Sequence, residues 1–194
     1  MRPDRNVMKE ISQIVKILEK KYGSKNPFYI AKRMGIEYSF PNFNGELLAL
    51  SEKENDRDLG RMYISNNLGP YSQKIVATHE LGHMLMHDSG NNLFNKGIDP
   101  IKEFEANYFM FLFLPQFDKW LTTDFDDIDL FNEYITTRIM LIIESEKNMA
   151  QSNYMTSSSF LSARSDVFLA TYPEGKKLIK FDYMTGKIEE LVVL

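Results

Sequence analysis

The run His79-Glu80-Leu81-Gly82-His83 is the one stretch of this 194-residue chain whose chemistry is specified by its spacing. On a helix, residues four apart share a face, so both imidazoles can reach a single ion. Zinc takes neutral imidazole nitrogens well, and a catalytic zinc site leaves one position open for water. Glu80 leans toward the same region, where it could take a proton from water at the ion and deliver it to a leaving amine. The ion lowers the pKa of that water toward about 7, which makes hydroxide available at neutral pH. An accidental H-E-x-x-H is expected in well under ~1% of chains this long. All three histidines, His79, His83 and His87, fall within this one stretch. The pattern reads as a metal site rather than as an ordinary helix face.

A site of this kind needs a third protein ligand, and Glu103-Phe104-Glu105-Ala106-Asn107 offers one on the next expected helix. Glu103 and Asn107 are four apart and share a face, while Glu105 points roughly opposite. Glu103 is the preferred ligand, with Glu105 the alternative; surface placement of both acids is the bland reading. With Glu103 on the metal, Asn107 is free to hydrogen-bond a ligand histidine and fix its tautomer. His87 lies a further turn along, too far to join a compact tetrahedron with His79 and His83, and reads as a capping or packing histidine. Gly82 costs roughly 1 kcal/mol of helix propensity, so a close approach by another element is expected there. Phe109, Phe111, Phe113 and Leu114 are apolar on nearly all sides and read as core.

Upstream, Val7, Ile11, Ile14, Val15, Leu18 and Tyr22 recur at helical spacing, with Gly23 as a stop. Asn26-Pro27 reads as a cap and first helical position for a helix over Phe28 to Met34, ended by Gly35. Ile36 to Phe40, Leu47 to Leu50 and Arg61 to Ser65 predict a small antiparallel sheet, with turns at Pro41-Asn42 and around Asn55-Asp56. The metal helix is predicted from Ser72 to His87, followed by a loop carrying Gly90, Asn91, Asn92, Gly97 and Pro100. Helices over Ile101 to Leu114, broken at Pro115, and Asp127 to Met149 come next. Ile135, Ile139, Ile142 and Ile143 form the buried face of the last of these. Ser152 to Ser165 is serine-rich and reads as a linker into strands Val167 to Tyr172, Leu178 to Tyr183 and Ile188 to Leu194, with turns at Pro173-Glu174-Gly175 and Thr185-Gly186. The expected class is α+β, with one domain over residues 1–151 and a β-rich C-terminal segment over residues 152–194.

The bulk numbers fit this plan. Hydrophobic residues make up 43% and charged residues 26%, as in soluble globular chains. The net charge of −4 recruits neither nucleic acid nor an anionic membrane. Lys16, Lys20, Lys21 and Lys25 are interleaved with acids and read as a solvated helix face. With no cysteine there is neither a disulfide framework nor a thiolate metal site. The N-terminal residues lack a secretory pattern, and the most apolar run, Tyr108 to Leu114, falls far short of the about 20 residues a membrane span needs. A cytoplasmic protein is expected.

Taken together, these motifs resemble the ImmA/IrrE family of metallo-endopeptidases. The likeness runs through Asn26-Pro27-Phe28-Tyr29-Ile30-Ala31 with Met34-Gly35-Ile36, and Gly60-Arg61-Met62-Tyr63-Ile64-Ser65-Asn66. It continues in Thr78-His79-Glu80-Leu81-Gly82-His83 with Leu85 and His87, and in Glu103-Phe104-Glu105-Ala106-Asn107-Tyr108-Phe109 with Leu112-Phe113-Leu114-Pro115. The resemblance implies a zincin-like helical core and a gluzincin-like site, with His79, His83 and Glu103 on Zn2+ and Glu80 as general base. It also implies a regulatory protease whose protein substrate is a helix-turn-helix transcriptional repressor, often encoded beside it on a phage or mobile element. Direct nucleic-acid binding is not expected. Met110, Phe111 and Phe113 stand where the family usually has small residues, which implies bulkier packing around the third ligand. The competing function is a metal-binding sensor or interaction module with little turnover. Glu80 and the open position argue against it, because a purely structural zinc site fills all four positions. Manganese or iron could occupy the same ligands.

Overall fold

The computed structural model describes residues 1–43, 47–53, 59–87, 90–93, 99–114, 127–151, 165–172, 175–182 and 188–193. Helix α1 (Arg5–Tyr22) begins where the Asp4 side chain accepts the Asn6 N–H, and ends at Gly23 in the left-handed region (φ 60°). It buries Ile11, Val15 and Leu18, the stripe its periodicity predicts. Helix α2 (Pro27–Met34) is capped by the Asn26 side chain, which accepts from Phe28 N and Tyr29 N, and stops at Gly35 (φ 85°). The Gly23 stop, the Asn26 cap and the Gly35 stop fall where the sequence puts them.

Strands β1 (Glu37–Ser39), β2 (Ala49–Lys53), β3 (Arg61–Ile64) and β4 (Gly90–Leu93) form one sheet in the order β1-β3-β2-β4. The expected all-antiparallel sheet is corrected here: β1 pairs parallel with β3, in the register Glu37↔Arg61 to Ser39↔Tyr63. Pro41-Asn42 does not turn the chain back. Pro41 O accepts from Asn66 N (3.0 Å) and Asn42 Oδ1 from Asn67 Nδ2 (2.9 Å). The segment after β1 thus runs on beside the segment after β3. The β2–β3 pair is antiparallel, as expected, while the turn placed around Asn55-Asp56 lies outside the described residues. The second correction is β4, where a loop was expected. Its polar residues carry no strand pattern; pairing from Leu50↔Leu93 to Lys53↔Gly90 along the open edge of β2 makes it a strand.

Helix α3 (Pro70–Met86) packs most extensively against α4 (Pro100–Phe113), and α4 also meets α1 and α5 (Ile128–Gln151). Helix α3 is buried along almost its whole length, with the sheet on one side and α4 on the other. The expected role of the phenylalanine-rich stretch holds: Phe109, Met110, Phe111, Phe113 and Leu114 are all core. Helix α5 contributes Ile128, Phe131, Ile135, Ile139 and Ile143 to the same core, with Phe131 edge-on to Phe104 at 5.2 Å between centroids. Residues 152–164, which carry the expected serine-rich linker, lie outside the described residues. Beyond them β5 (Ser165–Tyr172), β6 (Gly175–Asp182) and β7 (Ile188–Val193) form an antiparallel sheet in sequence order. The class is α+β. Among the described residues no helix is long and apolar enough to cross a membrane.

Candidate metal centre

Helix α3 has no side-chain cap of its own, because its N-cap is Gly69. Its first amides are taken instead by Glu146 of α5, whose carboxylate accepts from Tyr71 N (3.1 Å) and Ser72 N (2.8 Å) and from the Ser72 hydroxyl. A Cβ at position 69 would collide with that carboxylate. At the other end the His87 N–H donates to His83 O, and the Lys53 ammonium of β2 donates to His87 O at 3.0 Å. Both ends of the helix are thereby tied to other elements.

The close approach expected at Gly82 is present. A Cβ there would lie 3.1 Å from Phe109 Cδ1 and 3.2 Å from the Ala106 Cα, tighter than ordinary packing allows. The missing side chain lets α4 lie against α3 and brings Glu103 over the histidines. Atoms of His79, His83 and Glu103 that could ligate an ion converge within 4.8 Å of one another. The two Nε2 atoms are 2.9 Å apart, with Glu103 Oε2 3.5 Å from His79 and Oε1 3.3 Å from His83. His79 and His83 are fully buried. Burial holds both imidazoles below the usual histidine range, His79 well below it with help from neighbouring His83; Asn107 and Glu103 pull the other way on His79 and His83 respectively.

The hydrogen bonds behind His79 fix its proton. Pro100 O can only accept, so it takes the Asn132 amide N–H (3.0 Å). Asn132 Oδ1 then accepts from Asn107 Nδ2 (2.9 Å), which turns Asn107 Oδ1 toward His79 Nδ1 at 3.0 Å. His79 donates from Nδ1, so the lone pair of its Nε2 faces His83 and Glu103. Buried Glu103 Oε1 has no hydrogen-bond partner. A lone pair, a second imidazole nitrogen and an unpartnered carboxylate oxygen converging on one point repel each other unless a cation sits among them. The donor set therefore fits a divalent metal of the kind that imidazole and carboxylate bind.

Glu80 is fully buried, and neither of its oxygens has a hydrogen-bond partner. Its pKa is pushed up to about 8, mainly by burial, with the Glu103 carboxylate adding to the rise and Ser51 of β2 opposing it. A buried acid beside an imidazole–carboxylate cluster, holding its proton up toward neutral pH, is chemically able to take and return a proton. Sequence spacing brings His79, Glu80, His83, Glu103 and Asn107 to one place. It misses Asn132 and Ser51, for which no local pattern exists, and the bond between His87 Nε2 and Glu105 Oε2 at 2.9 Å.

A donor set of two buried imidazoles and one partly buried carboxylate, with a spare acid beside it, is the arrangement from which metal-dependent hydrolases are built. Two comparisons narrow this class. Residues 31–119 match the IrrE N-terminal-like domain of the M78 peptidases, and the span includes every one of these groups except Asn132. The "uncharacterized immunity region protein 2" of Bacillus phage phi105 is 31% identical over 132 residues, covering 63% of this chain and 82% of the relative. The chain belongs to the IrrE N-terminal-like metallopeptidase family, as its resemblance to ImmA/IrrE proteins implies. No solved structure matches it.

Proposed function

We propose that the chain is a zinc-dependent endopeptidase that cleaves a helix-turn-helix repressor, in which His79, His83 and Glu103 hold the metal and Glu80 is the general base. The convergence of His79, His83 and Glu103, with Glu80 buried and unpartnered beside them, carries this reading. A bound zinc ion supplies Lewis-acid activation of water and of the scissile carbonyl. Asn107, held by Asn132, orients the His79 ring and keeps its Nε2 free of a proton. Positive charge among the donors favours the Glu80 carboxylate, against the burial that favours its acid form. Cycling between the two, Glu80 takes a proton from the attacking water and returns it to the leaving amine.

The helical core with its sheet over α3 is read as zincin-like, with residues 1–151 as the peptidase domain and residues 152–194 as a β-rich appendage. The substrate assignment rests on family likeness and on the phage relative, whose name places it in an immunity region. In such a setting the protein works in the cytoplasm on a regulator encoded nearby.

The test pairs metal content with cleavage of a purified helix-turn-helix repressor, chosen from the genes neighbouring this one. Wild type is expected to bind one zinc and cleave this target. Glu80→Gln is expected to keep the zinc and lose cleavage by at least ~100-fold, the usual contribution of a general base. Undiminished cleavage by Glu80→Gln would reject the mechanism. Stoichiometric zinc with no cleavage by wild type would favour a metal-holding sensor instead.

A further inference from the structure

His87 and Glu105 fall outside the donor set, yet they connect directly to it. His83 Nδ1 lies 2.9 Å from His87 Nδ1, and His87 Nε2 lies 2.9 Å from Glu105 Oε2. The His87 side chain is 4% exposed and that of Glu105 17%. The two Nε2 atoms at the same separation converge with the Glu103 carboxylate on the place of a cation; the two Nδ1 atoms have no carboxylate with them and share one proton, so one donates and the other accepts. The direction is decided at the far end. A carboxylate can only accept, so His87 donates to Glu105 from Nε2. In a neutral His87 the Nδ1 is then a bare acceptor, and His83 must donate to it from its own Nδ1. That leaves His83 Nε2 free to ligate a metal. The chain Glu105–His87–His83 thus does for the second histidine what Pro100–Asn132–Asn107 does for the first.

The geometry assigns His87 and Glu105 as positioning residues for the metal centre. They fix the tautomer and ring orientation of His83 through two hydrogen bonds in series that end on a negative charge. This rests on the reading of His79, His83 and Glu103 as metal ligands. It changes the role of His87 from a helix-end packing residue to a conductor of ligand basicity. The Glu105 charge polarises the His87 ring, which becomes a better acceptor for the His83 proton, and His83 Nε2 becomes a stronger donor to the metal. The ammonium of Lys53 on His87 O holds the backbone at the point where the helix ends, so the His87 ring has a fixed base.

The experiment uses the full chain with zinc as the probe. Affinity is read by competition with a chromophoric chelator, and ring protonation by 15N spectra of the imidazoles, which three histidines in the chain make assignable. Zinc-loaded wild type is expected to carry its ring protons on His83 Nδ1 and His87 Nε2. His87→Phe, which keeps a ring and loses both nitrogens, is expected to weaken zinc binding about 10- to 100-fold, the usual range for losing such a partner. His87→Gln, which keeps an acceptor oxygen, is expected to recover most of that loss. Glu105→Gln keeps a neutral acceptor for His87 and is expected to fall between His87→Phe and wild type. In the double variant Glu105→Gln adds nothing to His87→Phe, because the two act in series.

A merely structural pair would lower thermal stability in all these variants without changing zinc affinity. Unchanged affinity in His87→Phe, additive losses in the double variant, or a His87 proton on Nδ1 in the wild-type spectrum would each overturn the assignment. Should His87→Phe fail to fold, Glu105→Gln and the wild-type spectrum still decide it. Wild type that takes up no zinc would remove the metal-site reading itself. Normal uptake by both wild type and His87→Phe would remove the positioning role alone.

Discussion

Glu80, with both oxygens buried and unpartnered, gives the metal-free protein a particular dependence on pH. An unfolded glutamate titrates near 4.5, whereas folded Glu80 holds its proton to about 8. As pH rises through that window the unfolded chain releases a proton that the fold retains, so stability falls. His79 and His83 act in the opposite sense. Their folded pKa values lie below 6.5, so as pH falls below that value the unfolded chain takes up protons that the fold refuses, and stability falls again. Below 6.5 the histidines oppose Glu80; above it, of these three groups, Glu80 acts alone. Chelator-treated protein is therefore predicted to lose stability as pH rises from 6.5 toward 8. Glu80→Gln is predicted to remove the alkaline decline and keep the acidic one, as thermal melts across that range would register. A second residue-scale prediction separates the two acids of α4. Glu103→Ala is expected to abolish zinc binding, and Glu105→Ala only to weaken it; the reverse result would overturn the ligand set. His79, His83 and Glu103 could be found in the sequence because helical period alone puts each on a defined face. Asn132 and Ser51 could not, because their place at the centre depends on how α5 and β2 pack against other elements.

At the scale of elements, Gly82 and Glu146 hold α3 in register. Gly82→Ala gains about 1 kcal/mol of helix propensity in isolation. In the fold the added methyl meets the Ala106 backbone at 3.2 Å, and backbone yields less easily than a side chain. The substitution is predicted to push α4 outward, leaving circular dichroism unchanged and weakening zinc binding by separating Glu103 from the histidines. Glu146 supplies the cap that Gly69 lacks. Glu146→Ala is predicted to cost about 1 kcal/mol in denaturant unfolding, as for loss of an N-cap side chain. Glu144→Ala, at an exposed position two residues away, serves as the control and is expected to cost far less. The helices were predictable to within a residue or two at most ends because caps, stops and apolar periodicity are local signals. The neighbour of β1 and the existence of β4 were not. Strand partners are chosen by which backbone edge is open, and the sequence of Gly90–Leu93 says nothing about the free edge of β2.

For the molecule as a whole, metal is predicted to act as a stabiliser. Zinc at about a thousand times its dissociation constant would add roughly 4 kcal/mol if it binds only the folded chain. Differential scanning calorimetry should show a higher midpoint with zinc for wild type, and none of that gain for Glu103→Ala. The order β1-β3-β2-β4 carries a consequence for biosynthesis. Ser51, the neighbour of Glu80, lies on β2, and one edge of β2 stays unpaired until residues 90–93 are made. Those residues follow α3 in the chain, so the histidine helix leaves the ribosome before the sheet beneath it is complete. A nascent chain that stalls short of β4 has both histidines and an open strand edge, but neither Glu103 nor a finished floor. With Glu103 as the proposed third ligand, full capture of the metal awaits α4, and the centre is completed late in assembly rather than seeding it.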